Sequence, residues 1–280
     1  MNLVIFLYYP HAPSSHSLEM VTLDKGLILS VAKSRDIYET PELNDSLFLH
    51  GLGIKAVSPL PEYTHVEFLS LAENCLTSVS DLSQFPNLVF LNVSNNAITE
   101  IDIRLFPKLE QLHACHNSLT SFSVIEKNPT LKLVKLSHNK LTSFPDISNL
   151  VSLEVLDVAK NLIHEMDLSN SSILPFSLRQ LYLSPNPFVA RVRNYRKTIL
   201  SEFCRFCRLS YLDNSFVTEM ELAIANSSSE KENAIRQQFA LSRRQELNQR
   251  VSDLRDLQLM FDENVYRICQ EIASEQDAEI

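Results

Sequence analysis

Glycine is scarce and tryptophan is missing: the 280 residues hold 3 glycines and no tryptophan. Phosphate-cradling loops use glycine where the backbone must approach a ligand closely, so nucleotide chemistry has little to build on. Positive charge is also short. Lys and Arg number 25 against 34 Asp and Glu, a formal net charge of −9, which argues against non-specific nucleic-acid binding. The cysteines are few and odd in number: Cys75, Cys115, Cys204, Cys207 and Cys269. That usage suits a reducing compartment better than a disulfide framework. Cys204-x-x-Cys207 has no second Cys or His pair nearby, so neither zinc nor redox chemistry is read there. The apolar run Leu3 to Tyr9 is too short to span a membrane, and it lacks the basic start and small-residue cleavage site of a signal peptide. No Ser–His–acid grouping, phosphate loop or pair of carboxylates stands out. The expectation is no enzyme, no cofactor and no metal.

What the chain does have is a ladder of asparagines. Asn74, Asn96, Asn117, Asn139, Asn161 and Asn186 recur at steps of 22, 21, 22, 22 and 25 residues. Each sits in one frame of aliphatic residues, as in Leu88, Leu91, Val93, Asn96, Ile98, Ile101 and again in Leu153, Leu156, Val158, Asn161, Ile163, Met166. This L-x-x-L-x-L-x-x-N-x-L pattern is the leucine-rich repeat at its short period. The L-x-L core predicts a short strand with its leucines pointing inward. The asparagine enters at the end of the strand, where its amide can satisfy backbone groups left unpaired by the turn. One coil cannot cover its own apolar face, so the coils must stack. An earlier, degenerate coil carries Leu52 in place of asparagine, and its turn must be satisfied in another way.

The expected fold is therefore α/β: a solenoid of about seven 22-residue coils, with parallel strands on a concave face and turns or 3₁₀ pieces behind. The prolines in the connections, among them Pro61, Pro86, Pro107 and Pro145, leave no room for long convex helices. The ends read differently. Residues 1–21 are expected to be disordered or an extension of the gene model, with Met20 as the alternative start. Residues 22–45 read as a helical lid, with Leu23, Leu27 and Val31 on one face and Thr22 as its cap. The repeats take 46–188. A capping helix and a last pseudo-strand, Leu209 to Asp213, take 189–215. Residues 216–280 read as a charged helical tail, with 13 acidic and 7 basic residues from Val217 on. In it Leu254, Phe261 and Ile268 fall seven apart.

Strand alternation places two columns of variable residues on the concave face. One holds Phe68, Phe90, Gln111, Leu133 and Val155. The other holds Phe48, Asn92, His113, Lys135, Asp157 and Tyr182. Their aromatic and aliphatic members would form a stripe open to water, which marks a protein-binding surface unless the chain's own tail or lid covers it. His113, Cys115 and His116 cluster on one rung, with His138 on the next, but the spacing does not make a metal site. The basic group Arg191, Arg193, Arg196, Lys197, Arg205 and Arg208 on the capping helix reads as a solvated face, or else as a site for an acidic partner.

The run Tyr38-Glu-Thr-Pro41-Glu-Leu-Asn-Asp45-Ser-Leu-Phe-Leu-His50 resembles the entry into the repeats of the leucine-rich-repeat axonemal dynein assembly factors. Pro61-Glu-Tyr-Thr64, the cap elements Asn186-Pro187, Asn194-Tyr-Arg-Lys-Thr198 and Tyr211-Leu-Asp213, and the charged stretch Glu230 to Phe239 are similar to that family as well. Where the family has a tryptophan in its first full strand, this chain has Phe68. The resemblance implies a non-enzymatic cytoplasmic scaffold for preassembling dynein arms in cells with cilia or flagella. Its partners would be dynein subunits or chaperones, with no nucleic acid and no membrane; the oligomeric state stays open. A structural axonemal component bound to a dynein heavy chain or microtubule, and a phosphatase-regulatory subunit, are the alternatives.

Overall fold

The computed structural model of the chain describes residues 21–122, 128–166, 175–203, 209–225, 227, 238 and 241–254. In chain order come β1 (Val21–Leu23), α1 (Lys25–Val31), β2 (Ser46–Phe48) and β3 (Ile54–Val57). The repeat strands follow: β4 (Phe68–Ser70), β5 (Phe90–Asn92), β6 (Gln111–His113), β7 (Leu133–Lys135), β8 (Val155–Asp157) and β9 (Gln180–Tyr182). The chain then forms α2 (Tyr195–Phe203), β10 (Tyr211–Leu212), β11 (Ser215–Phe216) and α3 (Glu219–Ala225). β2 and β4 to β10 make one continuous parallel sheet, closed at its C-terminal edge by antiparallel β11. The middle residue of each repeat strand points inward. Leu69, Leu91, Leu112, Val134 and Leu156 stand in register and are fully buried. At about 1.5–3 kcal/mol per buried aliphatic side chain, these stacked columns offset the entropy of ordering each coil.

Behind the sheet the chain returns through 3₁₀ turns such as Pro61–Tyr63, Ser80–Gln84 and Ile103–Leu105. Tyr63, Phe85 and Phe106 fill the space there and are fully buried. The sequence frame of leucines did not single out this aromatic spine.

The asparagine ladder has a direction. Each carboxamide oxygen accepts from a backbone N–H of the preceding coil: Asn96 from Leu76, Asn117 from Ile98, Asn139 from Leu119, Asn161 from Leu141 and Asn186 from Ile163, at 2.9–3.2 Å. Asn74 takes both Leu52 N and Ile54 N at 3.0 Å. Each amide nitrogen then bridges one carbonyl of the preceding coil and one of its own. Asn139 Nδ2 donates to Ala114 O and Leu136 O, both at 2.9 Å. Asn161 Nδ2 takes up Leu136 O again and adds Val158 O. Each ladder asparagine thus completes the coil before it. Leu52 can replace asparagine in the first coil because no earlier repeat coil needs its amide.

The residue before each of the first five ladder asparagines is left-handed: Glu73, Asn95, His116, His138 and Lys160 have φ of 54–58°; Pro185 stands before Asn186. Only the first coil puts glycine there, Gly51 with φ 69°, where no side chain needs to be strained.

The N-terminal end departs from expectation. Residues 21–23 are not helical; they form β1, which pairs in parallel with β3 outside the main sheet. The helix starts later, and its cap is Asp24, whose side chain accepts from Leu27 N at 2.7 Å, not Thr22. Pairing with β3 outweighs the local helical spacing. The Thr40-Pro-Glu-Leu-Asn-Asp45 run is a knot around Asn44. That side chain is 3% exposed, accepts from Tyr38 N and donates to Tyr38 O and Thr40 O. Asp45 O then receives both Glu67 N and Phe68 N, which starts the sheet.

At the other end, α2 begins only at Tyr195, after turns through 189–194. Its Ile199, Leu200 and Phe203 are buried on the last coil. Asp213, one residue past β10, caps the end of β9 instead of adding a rung to the ladder. Its Oδ1 accepts from Leu183 N and Ser184 N, and its Oδ2 from the Tyr195 hydroxyl at 3.0 Å. A carboxylate fits because the partners here are donors. Helix α3 lies beyond the Phe216 boundary read from the sequence, yet packs on α2, with Ile224 and Ala225 buried. The expectations for residues 1–20 and most of the tail lie outside the described residues.

Candidate protein-binding surface

The concave face follows from the register. Phe68 pairs with Phe90, Phe90 with Gln111, Gln111 with Leu133, Leu133 with Val155 and Val155 with Gln180. The second column runs Phe48, Ser70, Asn92, His113, Lys135, Asp157, Tyr182 across the same ladder. All eleven residues expected on this face lie on the sheet strands.

Their exposure is uneven. Phe48 and Phe68 are 44% and 39% exposed, and Gln111 is exposed; Phe90, Asn92, His113, Leu133, Lys135, Val155, Asp157 and Tyr182 are half-buried. The rings explain part of this. Phe68 and Phe90 lie 6.4 Å apart, and Phe90 and His113 lie 5.2 Å apart. Each ring shields the next and so forms a continuous aromatic strip at the N-terminal half of the face. Asn92 and Asp157 turn an oxygen back to Ser94 N and Ala159 N, which fixes their side chains. Burial, with the Lys135 ammonium nearby, pushes His113 down to about 4. It is therefore a neutral ring at physiological pH.

A second aromatic group closes the C-terminal end, and the sequence reading found only Tyr182 of it. Tyr182 and Tyr211 are 5.7 Å apart, Tyr211 and Phe216 5.0 Å, and Phe216 is 77% exposed. Tyr211 could have been found by continuing the column one step, since it pairs with Gln180. Phe216 could not, because its antiparallel strand lies outside the repeat frame. Between the two aromatic groups sit Lys135 and Asp157, each half-buried.

His116 and His138 stack at 3.8 Å on the turns, away from the strand position of His113. Among the described residues no three His, Cys, Asp or Glu are placed to hold a metal. Arg196 is not part of a free basic face. It donates to Leu212 O, Phe216 O and both oxygens of Glu221, and so ties α2, β10, β11 and α3 together. Arg205 and Arg208 lie outside the described residues. Helix 241–254 is exposed along its whole length, so it does not cover the concave face.

The family model for Leucine Rich repeats (2 copies) matches residues 64–105, the segment of β4, β5 and their two asparagines. The dynein axonemal assembly factor 1 homolog of Drosophila yakuba is 32% identical over 209 residues, 72% of this chain, and that of Drosophila melanogaster is equally similar. The chain is a leucine-rich-repeat protein related to the axonemal dynein assembly factors. It spans 14% of the length of those relatives. Similar solved structures include the leucine-rich-repeat domain of APL1B, with 23% identity, a TM-score of 0.49, and 62% of this chain and 49% of that one covered. An internalin, InlF of Listeria monocytogenes, aligns with 18% identity and a TM-score of 0.45 over 71% of this chain and 64% of its own. Among the described residues no helix of this protein is long and apolar enough to cross a membrane.

Proposed function

We propose that this protein is a non-enzymatic scaffold that acts in the cytoplasm in the preassembly of axonemal dynein arms, for cilia or flagella. The concave face grips its partner, a dynein subunit or a chaperone that handles one. The observation that carries this reading is the aromatic strip Phe68, Phe90, His113, with Phe48 exposed on the neighbouring strand, on a parallel sheet whose hydrogen bonds are internal. Such rings gain nothing for the fold by facing water, and an apolar patch rimmed by polar groups suits a polypeptide partner. Tyr182, Tyr211 and Phe216 offer a second anchor at the far end, with Lys135 and Asp157 between them setting orientation. The related assembly factors support the direction of the reading through their names.

The test is Phe68→Glu combined with Phe90→Glu. Far-UV circular dichroism and the melting curve should stay close to those of the unaltered chain, and capture of dynein subunits or chaperones from a ciliated-cell lysate should be lost. A folded double variant that captures the same partners refutes the reading. A variant that unfolds places the two rings in the core and refutes it equally.

A further inference from the structure

The main sheet treats its two edges differently. At the C-terminal edge β11 pairs with β10, and Arg196 donates to Phe216 O at 2.8 Å. At the N-terminal edge stands β2. Its flanking residues bond toward β4: Asp45 O accepts from Glu67 N and Phe68 N, and Leu49 N donates to Ser70 O. By strand alternation Ser46, Phe48 and His50 aim their backbone groups the other way. Arg35 donates to His50 O at 2.8 Å. The N–H and C=O of Ser46 and of Phe48 have no partner among the described residues. Proteins commonly blunt such an edge with lysine or proline; β2, which reads Ser-Leu-Phe, has neither.

Two donors and two acceptors in one row are the complement of one further strand. The lid leaves room for a strand and for nothing broader. β3 receives Cys75 N on one side and pairs with β1 on the other, so β1 stands one strand spacing, about 4.8 Å, beyond the first coil. A strand added to β2 would lie in the same layer as β1. A second copy brought to β2 at that spacing would put its own first coil where β1 already is. The surroundings set the chemistry. Tyr38 and Leu43, held by the knot around Asn44, are exposed before β2, and Phe48 is exposed at its end. Asp36, Glu39, Glu42 and Asp45 are exposed as well, and residues 36–45 contain no Lys or Arg. Among the described residues none of these four carboxylates is in a salt bridge.

We propose that the open edge of β2 binds an extended, basic peptide segment of a partner protein by strand addition. The main-chain groups of the segment close the four open positions at Ser46 and Phe48. Its Lys or Arg side chains meet the carboxylates of 36–45. An apolar side chain opposite Ser46 lies diagonal to the Phe48 ring and can reach it across the small serine. The site is an edge, not the concave face, and it stands whatever the concave face binds.

The probe is a labelled peptide of alternating lysine and valine, titrated with the full chain and read by fluorescence anisotropy. It should bind, more weakly as salt rises, and the same peptide with glutamate for lysine should not. Ser46→Pro removes an N–H that faces away from β4 and puts a ring in the slot. It should abolish binding and leave the far-UV circular dichroism unchanged. Glu39→Lys with Glu42→Lys, both at exposed positions, should weaken binding about tenfold, and this pair decides the matter if the proline variant fails to fold. Amide hydrogen exchange locates the site: Ser46 and Phe48 should exchange fast in the chain alone and slowly with the peptide bound. No binding up to about 1 mM peptide, equal binding of the acidic peptide, or binding that survives Ser46→Pro in a folded chain overturns the proposal. So does a charge-reversed pair that binds as tightly as the unaltered chain. An edge already protected without peptide, as it would be with residues 1–20 or a second copy seated on it, overturns it too.

Discussion

Replacing Asn139 by leucine, the residue that nature uses at the equivalent position 52, should separate the role of the ladder from mere size. Asn139 accepts from Leu119 N and donates to Ala114 O and Leu136 O. The two carbonyls each keep another donor, Asn117 for Ala114 O and Asn161 for Leu136 O. The Leu119 amide has no such replacement. An orphaned buried N–H costs about 1–3 kcal/mol, and each lost bond to a still-satisfied carbonyl about 0.5–1.5 kcal/mol. The sum is about 2–6 kcal/mol, a large share of the typical stability of a domain. Equilibrium urea unfolding followed by far-UV circular dichroism reads the total. Native-state hydrogen exchange reads the location, since the Leu119 amide should lose protection before its neighbours do. A loss below about 1 kcal/mol, or an unchanged Leu119 protection factor, would refute the claim that the side chain completes the preceding coil. A control is built into the chain, because Leu52→Asn should gain nothing.

Three further outcomes follow from the described geometry. Asp213→Ala should destabilise the cap by about 2–4 kcal/mol, and a double-mutant cycle with Tyr195→Phe in urea unfolding should show coupling of about 1 kcal/mol, because burial and the nearby Asp213 raise the Tyr195 hydroxyl and keep it a donor. His113→Gln should flatten part of the acid loss of stability: the unfolded chain binds a proton at this site below about pH 6.5 and the folded one only near 4, so the unaltered protein loses stability between those values and the variant loses less, as unfolding curves at pH 7 and pH 5 will show. At Lys160, with φ 54°, glycine should raise stability by up to about 1 kcal/mol and valine should lower it by more than that, measured by the same unfolding curves.

The repeat was legible because its core positions are locally written. An aliphatic residue every second place makes a strand, and the same phase returns every 22 residues, so Leu69, Leu91 and Leu112 could be aligned without coordinates. The direction of the ladder was not, because a carboxamide offers the same groups to either neighbour and only the geometry chooses. Strand β1 was hidden, since its partner β3 lies thirty or so residues away and Leu23, Leu27 and Val31 also fit a helix. The two concave columns could be enumerated from alternation, but their exposure depends on ring-to-ring shielding between strands, which no single strand records. The role of Asp213 escaped notice because it lies outside the ladder position, and it makes sense only once Leu183, Ser184 and Tyr195 are seen around it.

That forward-looking ladder bears on how the molecule is made. As the chain leaves the ribosome, each newly synthesised coil stays unfinished until the next one delivers its amide about one repeat later. The finishing groups thus arrive in order, with Asn186 delivering the last amide. A nascent or truncated chain halted anywhere short of Asn186 would carry one open turn at its growing end, a single sticky edge for quality-control machinery to recognise.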